Sequence, residues 1–328
     1  MKYTPFNFSS ASMRRRQFFK NSLPFLALPN IISNLNSDFF KAEFNEEYSK
    51  SEVFDNDKIL VYVNLMGGLD ANDILLSFAT YDKLAKVRPS LIFPQDEYIV
   101  LNEEFGMHPN LSGLADLFKS SYLDIYTNLG SENTELLYSS ALNDALLYDG
   151  QKTWLNRFAS NFERGNTIIE GLGCNTQFKC DSPNFKYVEF KELTLQSQLD
   201  HILKELKKGT STKIFVINIS GFDTHENQSI KLVNLYAEIS NLFTSFQREI
   251  GALGMEDRVS TLLFSEMGRS IEENTTAGTE HANGATALLI GNGASGKIYK
   301  PDTMLAWTEF YSKLFTKIEF NKSENIIS

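Results

Sequence analysis

Four short stretches hold the residues best suited to chemistry. In "ISGFDTHENQ", Ile219 to Gln228, Asp223 stands two residues before His225, directly after an apolar run. The chain has only four histidines. A carboxylate oxygen and an imidazole nitrogen are ordinary ligands of divalent metals; the same pair also makes a hydrogen-bonded turn. Asp70 follows Gly67 and Gly68, whose permissive backbones let a chain turn sharply toward a ligand, and a capping aspartate in a plain turn would look the same. Glu266, in "FSEMGRS", precedes Arg269 by three residues and suits a metal ligand, an ion pair or a helix cap. His281, in "GTEHANG", is flanked by Gly278 and Gly284, so the backbone is free to present its ring to a site or to solvent.

The elements that must position these residues read as strands alternating with helices. Ile59–Leu65, Tyr122–Thr127, Ile214–Ile219, Ser260–Phe264 and Thr286–Ile290 are short apolar runs without polar alternation, as expected of strands covered on both faces. Between them, Ser229–Ile250 carries Leu232, Leu235, Tyr236, Ile239, Leu242, Phe243, Phe246 and Ile250 on one helical face. Leu111–Ser120, Leu193–Lys208 and Met304–Phe315 give further helical patterns. The alternation predicts a three-layer α/β/α sandwich with a mostly parallel sheet. In such a sheet functional groups gather beyond the carboxyl ends of the strands. The Gly-containing, acid- or His-bearing stretches fall there. Ile59–Leu65, Ile214–Ile219 and Ser260–Phe264 are therefore expected side by side, with their trailing loops on one edge.

Composition bounds the rest. At 328 residues, 42% hydrophobic and 22% charged, the chain has ordinary globular composition. Its 31 Lys and Arg against 41 Asp and Glu give a net charge of −10, which argues against non-specific nucleic-acid binding. No apolar run approaches the ~18 residues of a membrane span. Near the N-terminus, Arg15 and Arg16 precede Gln17, Phe18, Phe19 and Lys20, followed by a modestly apolar segment, Leu23 to Ile32. This pattern resembles a twin-arginine export signal; a basic cytoplasmic tail is the plainer alternative. No A-x-A cleavage site appears before Glu43, so the segment is expected to stay on as an anchor. Residues 1–50 then form signal and linker, and residues 51–328 the folded domain. Cys174 and Cys180, in "GCNTQFKC", could close a small disulfide loop in an exported protein and would be free thiols in a cytoplasmic one. No second cysteine pair exists to make a zinc site with them.

Taken in order, the motifs resemble domain-of-unknown-function family 1501, exported proteins placed in the alkaline phosphatase and sulfatase superfamily. The family pattern runs from a twin-arginine signal to G-G-x-D, F-G-x-H-P, F-D-T-H, S-E-F-G-R with E-N, and G-T-D-H-G. This chain has Gly67–Asp70, "FGMHP" (Phe105 to Pro109), "GFDTH", "FSEMGRSIEEN" and "GTEHANG", so the resemblance spans Arg15 to about Tyr299. It implies an alkaline-phosphatase-like fold and one or two divalent metals, with Asp70, Asp223, His225, Glu266 and His281 as ligands. Three carboxylates and two imidazoles suit Zn²⁺, Mn²⁺ or Fe²⁺. It also implies an anionic phosphate or sulfate ester as substrate, the twin-arginine translocation machinery as partner, and a periplasmic or secreted location.

Two departures bear on activity. The family's Ser-His-Phe element has no counterpart in "GSENTELLYSSALND", which contains no histidine and leaves Ser131, Thr134, Ser139 and Ser140 as hydroxyls without an evident activating partner. The family's G-T-D-H-G becomes Gly278-Thr279-Glu280-His281-Ala282, with a longer acid and a less flexible last residue. The resemblance thus leaves two expectations open: a metal-dependent ester hydrolase, or a catalytically degenerate binding or assembly protein of the cell envelope.

Overall fold

The computed structural model describes residues 57–130, 138–173 and 182–320; Arg15, Arg16, Cys174 and Cys180, with Ser131 and Thr134, lie outside the described residues. At the centre is a nine-stranded sheet of β1 (Ile59–Leu65), β2 (Leu123–Gly130), β3 (Ile169–Leu172), β4 (Phe185–Val188), β5 (Ile214–Ile219), β6 (Val259–Phe264), β7 (Ala285–Gly291), β8 (Ile298–Tyr299) and β9 (Leu305–Ala306). Their order is β8-β2-β7-β6-β1-β5-β3-β4, with β9 also on β2. All pairings are parallel except those of β7, which runs antiparallel to β2 and β6. The mostly parallel α/β expectation holds. So does the predicted trio: β5, β1 and β6 are neighbours, in register from Leu60↔Ile214 and from Ile59↔Val259.

The apolar runs form central strands because both of their faces are covered. Every residue of β1, β6 and β7 is buried. On one face Leu60, Tyr62, Val216, Leu262, Phe264 and Leu289 meet α4 (Tyr138–Ala145), α5 (Trp154–Ala159) and α8 (Trp307–Lys317) through Leu142, Trp154, Phe158, Trp307, Tyr311 and Phe315. Each such large side chain contributes roughly 1.5–3 kcal/mol on leaving water. Two hydroxyls of that layer are paired: the Tyr62 and Tyr311 hydroxyls lie 2.5 Å apart, and Tyr311 donates to the Ala145 carbonyl. On the other face Leu65, Leu263 and Leu288 surround a small apolar cavity with Leu114 of α3 (Ser112–Lys119) and Tyr236 and Ile239 of α7 (Gln228–Ala252). Among the described residues no helix is long and apolar enough to cross a membrane.

Local chemistry adjusts the expected boundaries. The helix expected at Leu193–Lys208 is α6 (Leu195–Lys208), because the Thr194 hydroxyl accepts from the Ser197 N–H and Ser197 answers to the Thr194 N–H, a capping box that leaves Leu193 outside. The pattern at Met304–Phe315 begins later, since Leu305–Ala306 pairs with β2 before the chain turns into α8. Strands β3 and β4 carried no sequence signal: they are four residues each, and β4 is a half-exposed edge strand.

Candidate metal centre

The parallel run of β5, β1 and β6 brings three loops to one edge: Met66–Asp70 after β1, Gly221–Asn227 after β5 and Ser265–Arg269 after β6. Because β7 is antiparallel, the residues before it reach the same edge, and this delivers His281. His281–Ala282 pairs antiparallel with Gly268–Arg269, clamping the last two loops together. Two glycines permit the close approach. Gly67 has φ +112°, and a Cβ there would stand 2.5 Å from the Asp223 amide nitrogen; at Gly278 a Cβ would stand 2.2 Å from the His225 carbonyl carbon.

Three of the expected ligands converge. Asp223 Oδ1 lies 3.1 Å from His225 Nε2 and 3.0 Å from His281 Nε2, and the two Nε2 atoms are 3.2 Å apart. Three ligands each ~2.0–2.2 Å from one cation stand roughly 3–3.5 Å apart at tetrahedral angles, so the triangle has the size of a single ion's coordination face. The ligand atoms of Asp223, His225 and His281 form the one such group among the described residues. Two imidazoles and a carboxylate are a donor set suited to Zn²⁺, Fe²⁺ or Mn²⁺.

The surroundings fix each member. Arg269 is buried and reaches across three loops: Nη2 donates to the carbonyls of Gly67 (2.6 Å) and Phe222 (3.0 Å) and to Asp223 Oδ1 (2.5 Å), while Nη1 donates to the Thr279 carbonyl (2.9 Å). Burial raises the Asp223 pKa, but the hydrogen bond from His281, then that from Arg269 and its charge, outweigh it and hold the carboxyl below its usual range. On its far side His225 Nδ1 lies 2.9 Å from Glu280 Oε2, and Glu280 Oε1 accepts from Asn274 Nδ2 at 2.7 Å. The Asn274 bond, ahead of the His225 interaction, lowers the Glu280 pKa. Sequence reading singled out Glu280 only as a longer acid and Asn274 only as part of a motif; no local signal shows that they meet His225.

Asp70 and Glu266 share the edge but not the triangle. Asp70 is buried, pairs bidentately with Arg88 just after α2 (Tyr81–Val87), and accepts from Gln228 Nε2 (2.7 Å) and the Asn72 N–H (3.0 Å) as the cap of α1 (Ala71–Ile74). Its neighbour Asp73 is pushed up to about 7 by burial first and the Asp70 charge second. Glu266 accepts from the Gly67 N–H at 2.7 Å, and burial pushes its carboxyl up to about 7. It also lines a small recess with Asp144, Met267, Asn283, Gly284 and Trp307, two residues along the chain from His281. His108 of "FGMHP" is buried between Phe93 and Tyr236, ring centroids 4.9 Å from each, and burial lowers its pKa to about 4; it packs and caps rather than joining the group.

No curated protein matches. Among solved structures, the C-terminal periplasmic domain of EptC from Escherichia coli in complex with Zn is similar at 11% identity, over 72% of this chain and 74% of that one, with a TM-score of 0.44. Murine ectonucleotide pyrophosphatase/phosphodiesterase 5, an inactive form in complex with AMP, is 7% identical over 80% of this chain and 95% of that one, with a TM-score of 0.47. A protein in the alkaline phosphatase superfamily from Vibrio parahaemolyticus is 11% identical over 83% and 68%, with a TM-score of 0.46. Residues 201–299 match the model of a family described as Protein of unknown function (DUF1501). The stretch that presents Asp223, His225, Glu266, Arg269, Glu280 and His281 on one edge of the sheet lies within the residues that match this family model.

Proposed function

We propose that this protein is an exported, metal-dependent hydrolase of phosphate or sulfate esters, with Asp223, His225 and His281 holding a single divalent cation. The observation that carries the reading is the solvent-open triangle of their ligand atoms, 3.0–3.2 Å on a side. A bound cation supplies positive charge that polarises an ester oxygen. The chain's own part is to hold the three ligands through Arg269 and the paired strands.

A second reading, a cell-envelope binding component that keeps the ion without turnover, is favoured by the occupied state of neighbouring groups. Arg88 already compensates Asp70, the Thr224 and Thr279 hydroxyls donate to Gln228, and the Ser265 hydroxyl donates to the Leu65 carbonyl. Elemental analysis of protein purified without chelators tests the shared part. The expected result is about one equivalent of Zn, Mn or Fe, lost in Asp223→Ala and His281→Ala. Turnover of p-nitrophenyl phosphate or sulfate that disappears in the same variants supports the hydrolase, and stoichiometric metal without turnover supports the binding component. Metal-free protein whose thermal stability ignores added Zn²⁺ or Mn²⁺ would remove both.

Export rests on Arg15 and Arg16 with the apolar segment that follows. Replacing both by Lys should strand the protein in the cytoplasm of a bacterial host with a twin-arginine system. Unchanged recovery from the periplasm would sink this part alone.

A further inference from the structure

We propose that Glu280 is a positioning residue that sets the tautomer of His225, holding the ring proton on Nδ1 so that Nε2 faces Asp223 and His281 as a bare lone pair. The role is built on the cation-site reading above, while the tautomer itself is a property of the metal-free chain. A carboxylate only accepts hydrogen bonds, so at 2.9 Å from Glu280 Oε2 the nitrogen Nδ1 must carry the proton. In the neutral ring Nε2 is then an acceptor. It stands 3.1 Å from Asp223 Oδ1, another acceptor, and the pair is bridged by His281 Nε2, which lies 3.2 Å and 3.0 Å from them and can supply the hydrogen. Two lone pairs thus converge where a cation is to sit, and a histidine ligand whose other nitrogen donates to a carboxylate is both oriented and made more basic.

Glu280 is itself anchored through both its backbone and its side chain. Its Oε1 accepts from Asn274 Nδ2 (2.7 Å), its N–H donates to the Ser270 hydroxyl (3.0 Å), and its carbonyl accepts from the Ser270 N–H (2.8 Å). Asn274 Nδ2 also donates to the His225 carbonyl (2.8 Å), closing a ring of Asn274, Glu280 and His225. With the backbone so fixed, reach depends on side-chain length. Aspartate, one methylene shorter, keeps the charge but falls short of Nδ1. Glutamine keeps the length, but its oxygen answers to Asn274, so its NH₂ faces Nδ1, and a donor there drives the ring proton to Nε2.

The test pairs a metal-free readout with a metal-binding one. Long-range ¹⁵N–¹H NMR of the EDTA-treated full chain, well above the ordinary imidazole pKa, should show His225 as the Nδ1–H tautomer in wild type and as Nε2–H in Glu280→Gln. Zn²⁺ affinity, read by competition with a chromophoric chelator, should fall roughly 10–100-fold in Glu280→Gln and in Glu280→Asp. Melting temperature in EDTA should be unchanged, which separates positioning from loss of fold. An Nε2–H tautomer in wild type, or an Nδ1–H tautomer retained with full affinity in Glu280→Gln, would overturn the proposal. If wild type binds no Zn²⁺, the cation reading fails, and a tautomer that does not switch in Glu280→Gln then overturns this proposal separately.

Discussion

Arg269→Met is expected to lower the free energy of unfolding by about 3–5 kcal/mol, because it leaves several buried acceptors without a donor. The guanidinium is fully buried, and it alone ties the carbonyls of Gly67, Phe222 and Thr279 to the carboxylate of Asp223. Those four groups come from three loops with no strand pairing between Gly67 and Thr279. Arg269→Lys should recover only part of the loss. An ammonium is a point donor and cannot span acceptors that a planar five-donor fork reaches together. Urea unfolding of the three proteins checks this. A cost for Arg269→Met under about 1 kcal/mol, the range of an ordinary surface change, would mean that the loops hold themselves.

Arg88→Met should cost a comparable ~3–5 kcal/mol, since breaking a buried pair strands the remaining charge. Here the stranded group is Asp70, with Asp73 close enough to feel its charge. The cost should depend on pH, and its sign follows from Asp73. Burial and then Asp70 raise its folded pKa from 3.8 to about 7, while Arg88 and the Tyr236 hydroxyl pull it back down. An acid whose folded pKa is raised stabilises the fold fully below its unfolded value and loses that contribution as pH rises through the folded one. Removing Arg88 pushes Asp73 higher still, so the Arg88→Met deficit should grow as pH rises past about 7, where wild-type Asp73 ionises and the variant's does not. Asp70→Asn combined with Arg88→Met should recover part of the stability, because the neutral amide removes the stranded charge while its one oxygen keeps either the Asn72 contact at Oδ1 or the Gln228 contact at Oδ2. A deficit independent of pH, or no recovery in the double variant, would show that the network is not governed by these charges.

The scaffold was legible in the sequence, and so were the residue types that the sheet gathers at one edge. Runs such as "ILVYVNL" and "IFVINI" are apolar on both alternating sets of positions, a local property of strands covered on both faces, so the three-layer sandwich could be read from them, and their alternation with helical patterns pointed to the adjacency of β5, β1 and β6. The chemistry of Asp223, His225 and His281 was legible because few side chains are good ligands and these fall at strand ends. What each polar group pairs with was decided only by the tertiary structure. Nothing in the seventeen residues between Asp70 and Arg88 shows that the guanidinium folds back onto that carboxylate and withdraws it from the ligand triangle. The antiparallel course of β7, which brings residues ahead of the strand to the carboxyl edge, carries no signature in "ATALLIG". Glu280 looked like a departure from pattern until the backbone placed it within reach of His225. Burial propensity is a property of the residue and survives in the sequence; hydrogen-bond and ion pairing are properties of two residues and a distance, and that distance is set by the packing of the whole sheet.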